Sequence, residues 1–240
     1  MALSIRSREY DHHTEAVHAA GGAWVRDVML GLNDGLVASF AVTSGVAAAF
    51  TTGNAAVMAG LSEMLGGAVA MGLAAFISAR SQVEFYQSEI EREREEIQRW
   101  PDREREEISA IYRDKGFAGP LLEQIVAHIT SDPERWSNVM MREELGFNEE
   151  SFDRPLRSAF AVGSSYLCGA FVPVWPYIFF EPTVGVIISA ISTVVVLFAV
   201  GALKTIITSR SWWRSGFESM LTGIAAASVT YAAGRLFAAR

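Results

Sequence analysis

Asp34 and Glu63 are the two residues of this chain whose positions most need a chemical explanation. Asp34 lies in Gly-Leu-Asn-Asp-Gly, about 9 Å inside the 23-residue apolar stretch Val28–Phe50, where it is the single charge. Glu63 is similarly isolated, about eight residues or 12 Å into the 25-residue stretch Ala55–Ala79. A charged side chain in hydrocarbon costs at least about 2.5–3.5 kcal/mol and is kept where it faces a cavity, a partner or an ion. Two such carboxylates in neighbouring stretches suggest a pathway; a pair of protonated, hydrogen-bonded structural acids is the alternative. Glu63, Gly67 and Met71 recur at i, i+4 and i+8, so a carboxylate, a gap and a thioether share one helix stripe. Carboxylate with thioether suits a borderline divalent transition metal such as Fe²⁺ better than Mg²⁺ or Ca²⁺.

A second concentration of acids follows. Between Ser81 and Arg157 stand 19 Asp/Glu and 11 Lys/Arg. Glu91–Ile97 reads EREREEI and Asp102–Ile108 reads DREREEI, a near-repeat offset by 11 residues. Glu93 with Glu96, and Glu104 with Glu107, are i, i+3 pairs that each share a helix face. Pro101 interrupts the helical pattern, so the two pairs can be turned to face each other. A solvated helix laced by Arg92, Arg94, Arg103 and Arg105 is the plainer reading. Further along, Met140 and Met141 precede Glu144 by four and three residues, again setting thioethers beside a carboxylate. Paired acids with methionine point to a divalent-metal site.

These residues need an apolar frame. Half of the 240 residues are hydrophobic, and apolar runs of this length cannot stay exposed in water, which excludes an ordinary soluble globule. Ser158–Phe180 and Thr183–Leu203 contain no charge and are separated by the short turn Glu181-Pro182. A fifth stretch, near Phe217–Phe237, is rich in Ala and Gly, with Glu218 and Arg235 at its ends. The expected fold is all-α, a five-span transmembrane helical bundle with a helical metal-binding domain inserted between spans 2 and 3. It divides into an amphipathic N-terminal segment (1–26), spans 1 and 2 (27–80), the acidic insert (81–157) and spans 3 to 5 (158–240). Placing the N-terminus and the insert in the cytoplasm leaves only Arg235 and Arg240 of the 20 bases outside, as the positive-inside rule favours. No signal peptide or targeting segment is evident, and a plasma (inner) membrane is expected.

The net charge of −7 disfavours nucleic acid as a partner. The single cysteine, Cys168, excludes an internal disulfide and a cysteine-built zinc site. His12, His13 and His18 lie in the polar N-terminal segment and His128 stands alone in the insert. Glu15-x-x-His18 matches one half of a helix-bundle di-iron ligand set whose second half is missing.

Val25-Arg-Asp-Val-Met-Leu-Gly-Leu-Asn-Asp-Gly-Leu-Val37, Gly60-Leu-Ser-Glu-Met-Leu-Gly-Gly-Ala-Val-Ala-Met-Gly72 and the Glu-rich insert with its Met-Met-x-x-Glu segment together resemble the vacuolar iron transporter family. The resemblance runs from about Trp24 to the C-terminus. It implies a five-span homodimer that carries ferrous iron and often manganese, with Asp34, Glu63 and Met71 lining the pathway. It likewise implies that Glu93, Glu96, Glu104, Glu107, Met140, Met141 and Glu144 bind metal in the cytoplasmic domain. The function expected is a proton-coupled Fe²⁺ and Mn²⁺ exporter in a lipid bilayer, not an enzyme, with no prosthetic group and with Fe²⁺, Mn²⁺, Zn²⁺ or Co²⁺ as bound substrate. The rival is a membrane-anchored di-iron ferroxidase or a metal-storage protein.

Overall fold

The computed structural model describes residues 12–50, 53–146, 154–205 and 211–238, the side chains of 12–21, 53, 237 and 238 excepted. The described residues form eight helices and no strand. They are α1 (His12–Ala49), α2 (Gly53–Arg99), α3 (Pro101–Asp114), α4 (Gly119–Thr130), α5 (Pro133–Glu143), α6 (Pro155–Phe179), α7 (Pro182–Leu203) and α8 (Trp212–Ala238). The chain divides into two compact units, residues 1–77 with 155–240, and residues 78–154.

Among the described residues, four helices are long and apolar enough to cross a membrane: Gly22–Ala49, Asn54–Arg99, Pro155–Phe179 and Pro182–Leu203. This is an integral membrane protein. The most apolar of the four is α7, with a mean hydropathy of 2.6 over its best window, and it begins with Pro182 in the first turn, where a missing amide N–H leaves no helical bond unmade. The fifth expected span falls inside α8, which has the length but is not among these four; its Ala, Gly and Ser content and its charges lower the hydropathy. Two helices run on beyond the apolar stretches read from the sequence. The helix of α1 is continuous from His12, so residues 12–26 form its first turns. Likewise α2 does not stop near Ala79 but continues without a break to Arg99, because no Gly or Pro interrupts Phe76–Arg99.

The helices of this unit meet where side chains are missing. A Cβ added at Gly35 would lie 2.9 Å from the backbone nitrogen of Ala170 on α6 and would strike the carbonyl oxygen of Tyr166. Gly31 meets α6 at Val162 and Ser165 in the same way, and Gly169 of α6 meets the Leu32 carbonyl. Such backbone-to-backbone contact replaces the hydrophobic drive that lipid-facing helices lack. Leu36, Leu197 and Val200 fill the space between α1 and α7, and Ser189 of α7 donates to the Pro173 carbonyl of α6 at 2.8 Å.

The second unit is built differently. Each of its short helices carries a proline in its first turn, Pro101, Pro120 and Pro133. Asp132 caps α5, accepting from the amides of Glu134 and Arg135 at 2.9 and 3.0 Å, and these bonds hold its carboxyl below the usual range. Gly116, at φ +94°, turns the chain out of α3 in a conformation that a side chain would oppose. Ile97, Ile108, Ile129, Trp136 and Met140 close a core contributed by all four helical segments.

Replacing Gly35 with Val is expected to destabilise the membrane unit by about 1–3 kcal/mol, the usual range for overpacking, whereas Gly22→Ala, with nothing within 4 Å, is expected to leave stability unchanged or raised. Thermal unfolding followed by fluorescence-detected size exclusion compares them; equal melting would remove the close contact from the account of the bundle.

Candidate metal-handling sites

Glu63 is the polar centre of the membrane unit. It projects from α2 and accepts two hydrogen bonds, one from the Ser39 hydroxyl of α1 and one from the Tyr166 hydroxyl of α6. Three helices thereby meet at one carboxylate. Ser39 is fully buried and Tyr166 is 2% exposed, so both donors are withdrawn from solvent and their bonds to Glu63 satisfy them. Asp34 is half-buried on α1, near enough to Glu63 for the two carboxylates to repel. Met71 and Met64 pack, with Ala38, against the cluster of Ala68, Tyr166 and Ala170.

The gap in the Glu63, Gly67, Met71 stripe is occupied. A Cβ at Gly67 would come 2.6 Å from a ring carbon of Tyr166, so the absent side chain is the socket of the phenol. Sequence reasoning missed both Tyr166 and Ser39. A phenol in a charge-free span was the available signal for the first; the second, five residues after Asp34, carried none. It also missed Asp27, which is buried and accepts from Ser158 at 2.6 Å and from Arg26 at 3.3 Å.

In the second unit Glu93 and Glu104 lie at 2% and 0% exposure. One oxygen of Glu93 and both of Glu104 are buried without a hydrogen-bond partner. An unpaired buried carboxylate is costly, so a group of them is an arrangement that a cation relieves. Glu93, Glu96 and Glu104 each bring a carboxylate oxygen to within 4.8 Å of the others. The structure therefore joins both members of the first acid pair to one of the second across the break at Pro101. Glu107 and Glu144 stand further out but close enough to act on Glu93 and Glu104. Met140 is fully buried in the apolar core of the unit, where packing accounts for its position, and Met141 is 7% exposed.

Burial first, and then the charges of Glu144, Glu104, Glu96 and Glu107, push Glu93 up to about 7. Glu104 is raised by burial and by Glu107 and Glu96, and Glu144 by burial, Glu107 and Glu96. His128 is outside this group; its Nδ1 lies 3.2 Å from the Arg135 guanidinium. His12, His13, Glu15 and His18 have side chains outside the described residues. Cys168 is exposed.

Residues 25–235 match the model of the VIT family. The chain belongs to the VIT family. Vacuolar iron transporter 1 of Arabidopsis thaliana is 33% identical over 222 residues, covering 92% of this chain and 88% of that protein. Vacuolar iron transporter 1 of Eucalyptus grandis is 33% identical over 227 residues, with 94% and 91% covered. Protein CCC1 of Saccharomyces cerevisiae is 31% identical over 186 residues, with 75% and 57% covered.

The raised Glu93 gives this VIT-family chain a pH signature. The folded state holds that proton more tightly than the unfolded chain, so Glu93 contributes stability in full below about 4.5 and loses it as pH rises through about 7. Metal-free protein is expected to lose on the order of 2–3 kcal/mol of stability in the acidic unit between pH 5 and pH 8, and Glu93→Gln to flatten the profile. Melting followed by hydrogen exchange within residues 78–154 measures this. A wild-type profile as flat as the variant's would contradict it.

Proposed function

We propose that this protein is a secondary transporter that moves divalent metal, Fe²⁺ and with it Mn²⁺, out of the cytosol in exchange for protons. Zn²⁺ and Co²⁺ fit the same ligand types. The observation that carries the reading is a carboxylate held by two donors among three membrane helices, with a second carboxylate and a thioether beside it. Iron as cargo is supported by the names of the relatives.

In this reading the acidic unit captures the cation with Glu93, Glu96 and Glu104, assisted by Glu107, Glu144 and Met141. Asp34 and Met71 receive it in the membrane and Glu63 passes it on. A carboxylate holds metal only when ionised, so each proton that neutralises Asp34 or Glu63 weakens the site and favours release. Exchange of one cation for another follows from that competition. The same competition sets the capture step, because a divalent ion must displace the proton that Glu93 retains up to about 7.

In this reading α8 serves as the fifth span, and the distribution of bases supports a cytosolic N-terminus and acidic unit. The transporter acts as a homodimer. Ser62, Gly66, Ala70 and Ala74 form an exposed stripe of small residues along α2, next to Glu63, whereas Leu65, Val69 and Leu73 beside it are large and exposed. Small residues permit close approach of a second helix, and large ones suit lipid.

A ferroxidase is the second reading, favoured by the clustering of three glutamates. A helix-bundle di-iron centre also takes histidine ligands, and among the described residues no histidine joins this cluster. Oxygen consumption on adding Fe²⁺ separates the two.

Purified protein in proteoliposomes, with a pH gradient imposed, is expected to move Fe²⁺, and Glu63→Ala or Asp34→Ala to lower the flux by about 100-fold, the loss that follows from removing some 3 kcal/mol of cation binding. Undiminished flux in both variants would overturn the pathway. Tyr166→Phe, which removes one of the two donors to Glu63 and leaves the ring in the Gly67 socket, is expected to reduce flux about tenfold without unfolding the bundle, since a hydrogen bond to a charged group is worth about 1.5–3 kcal/mol. Flux equal to wild type would release Tyr166 from any role beyond packing.

A further inference from the structure

We propose that buried hydroxyls of α1, α6 and α7 hold ordered water between Glu63 and the α6–α7 turn, and that this water rehydrates the metal ion as it leaves Glu63. The second half rests on the transport reading above; the first does not. The side chains are those of Thr43, Tyr177, Ser189 and Thr193, all inside membrane-spanning helices. Thr43, Ser189 and Thr193 are fully buried and Tyr177 is 3% exposed. None of them is a donor to Glu63. The Tyr177 hydroxyl and the Thr193 Oγ1 are buried without a hydrogen-bond partner. Hydrocarbon supplies no partner either, so two such atoms in one bundle call for a ligand that can both donate and accept.

A helical serine or threonine ordinarily returns its proton to the carbonyl one turn back. Thr43 does so to Ser39 at 2.7 Å, Ser165 to Ala161 at 2.7 Å and Thr230 to Ala226 at 3.2 Å. Thr193 does not, so its proton is available to a ligand. The Tyr177 oxygen lies near the hydroxyls of Thr43 and Ser189. Both have committed their protons elsewhere, Thr43 to the Ser39 carbonyl and Ser189 to the Pro173 carbonyl at 2.8 Å. Acceptors come from α6 itself. Pro173 and Pro176 are buried inside this helix and have no amide hydrogen, which deprives the carbonyls of Gly169 and Val172 of their helical donors. In membrane helices carbonyls freed in this way are satisfied by neighbouring hydroxyls or by water. A buried water makes about three hydrogen bonds to groups of this kind.

The order of these groups along the bundle gives the water its role. Thr43 stands one turn beyond Ser39, the α1 donor to Glu63. Gly60 stands three residues before Glu63 on α2, and a Cβ there would lie 2.8 Å from the Thr43 methyl. On α7, Thr193, Ser189 and Gly185 follow one another at one-turn spacing. Ser189 meets Pro173 and Gly185 meets the Tyr177 ring, where a Cβ would come to 3.0 Å, so α7 runs antiparallel to α6 here. The hydroxyls thus lead from the surroundings of Glu63 toward the turn at Glu181-Pro182. A divalent ion that leaves a carboxylate must regain oxygen ligands. Hydroxyls, carbonyls and water supply them without a countercharge that would retain the ion, as release requires.

Radiolytic hydroxyl-radical footprinting of the full chain in nanodiscs tests the water directly, because radicals formed from bound water modify the side chains beside it. Tyr177 is expected to be modified in spite of its burial, and Thr193→Val to reduce that modification about fivefold, the loss that follows from one hydrogen bond. An unmodified Tyr177 in wild type, or equal modification in the variant, overturns the water site. Melting of Thr193→Val and Tyr177→Phe gives a second measure. In a dry site each substitution removes an unpaired buried oxygen and raises the melting temperature, so a rise in both overturns the proposal, whereas unchanged or lower values support it. In proteoliposomes each variant is expected to slow Fe²⁺ flux about fivefold while Fe²⁺ binding to the acidic unit is unchanged. Flux equal to wild type in a variant that has lost the labelling overturns the rehydrating role. Labelled Tyr177 in wild-type protein that moves no Fe²⁺ would overturn the transport reading and leave the water site standing.

Discussion

A carboxylate inside a membrane bundle must be given partners by the helices around it, and in this protein that requirement organises the bundle. Glu63 takes a hydrogen bond from α1 and another from α6. For two donors from different helices to reach one carboxylate, the backbones must come close, and the glycines at 31, 35 and 169 are where α1 and α6 do so. Gly67 makes room for the phenol that completes the arrangement. Polar satisfaction and small-residue packing are thus one constraint here, since neither is possible at these positions without the other.

The acidic unit solves the opposite problem. Its carboxylates are not provided with donors; Glu93 and Glu104 are sealed in beside each other above a core of Ile97, Ile108, Ile129 and Trp136. The energy of that arrangement comes from the core and from helices started by proline, while the carboxylates oppose it. A cluster whose buried carboxylate oxygens lack donors differs in kind from Glu63, which is satisfied as it stands.

Much of this was legible from residue types and spacing, because it depended on local rules. Twenty-two residues without a charge made α7 recognisable, and Pro101 marked the end of α2 and the start of α3 to within a residue. Isolation within apolar runs made Asp34 and Glu63 conspicuous, since a lone charge there needs a reason wherever the helix is placed. What escaped was long-range. Tyr166 reaches Glu63 across 103 positions of sequence, and helical periodicity says nothing about which face of α6 meets α2. The continuity of α2 through Ala79 escaped for another reason: the change from apolar to charged residues marks where the two compact units divide, near Ile77, whereas a helix ends only where its backbone bonds end. Met140 shows the limit of spacing as a guide, because the i, i+4 relation that brings a thioether near Glu144 equally turns it into the core.

The unpaired oxygens of Glu93 and Glu104 have a consequence for the lifetime of the protein. A ligand that binds only the folded form raises its stability by about 1.4 kcal/mol for every tenfold excess over its dissociation constant. With a cation as that ligand, the acidic unit opens less often as metal accumulates, and chains in a metal-poor cell present more open segments to proteases. Abundance would then follow the supply of the ion through protein turnover alone, with no change in synthesis.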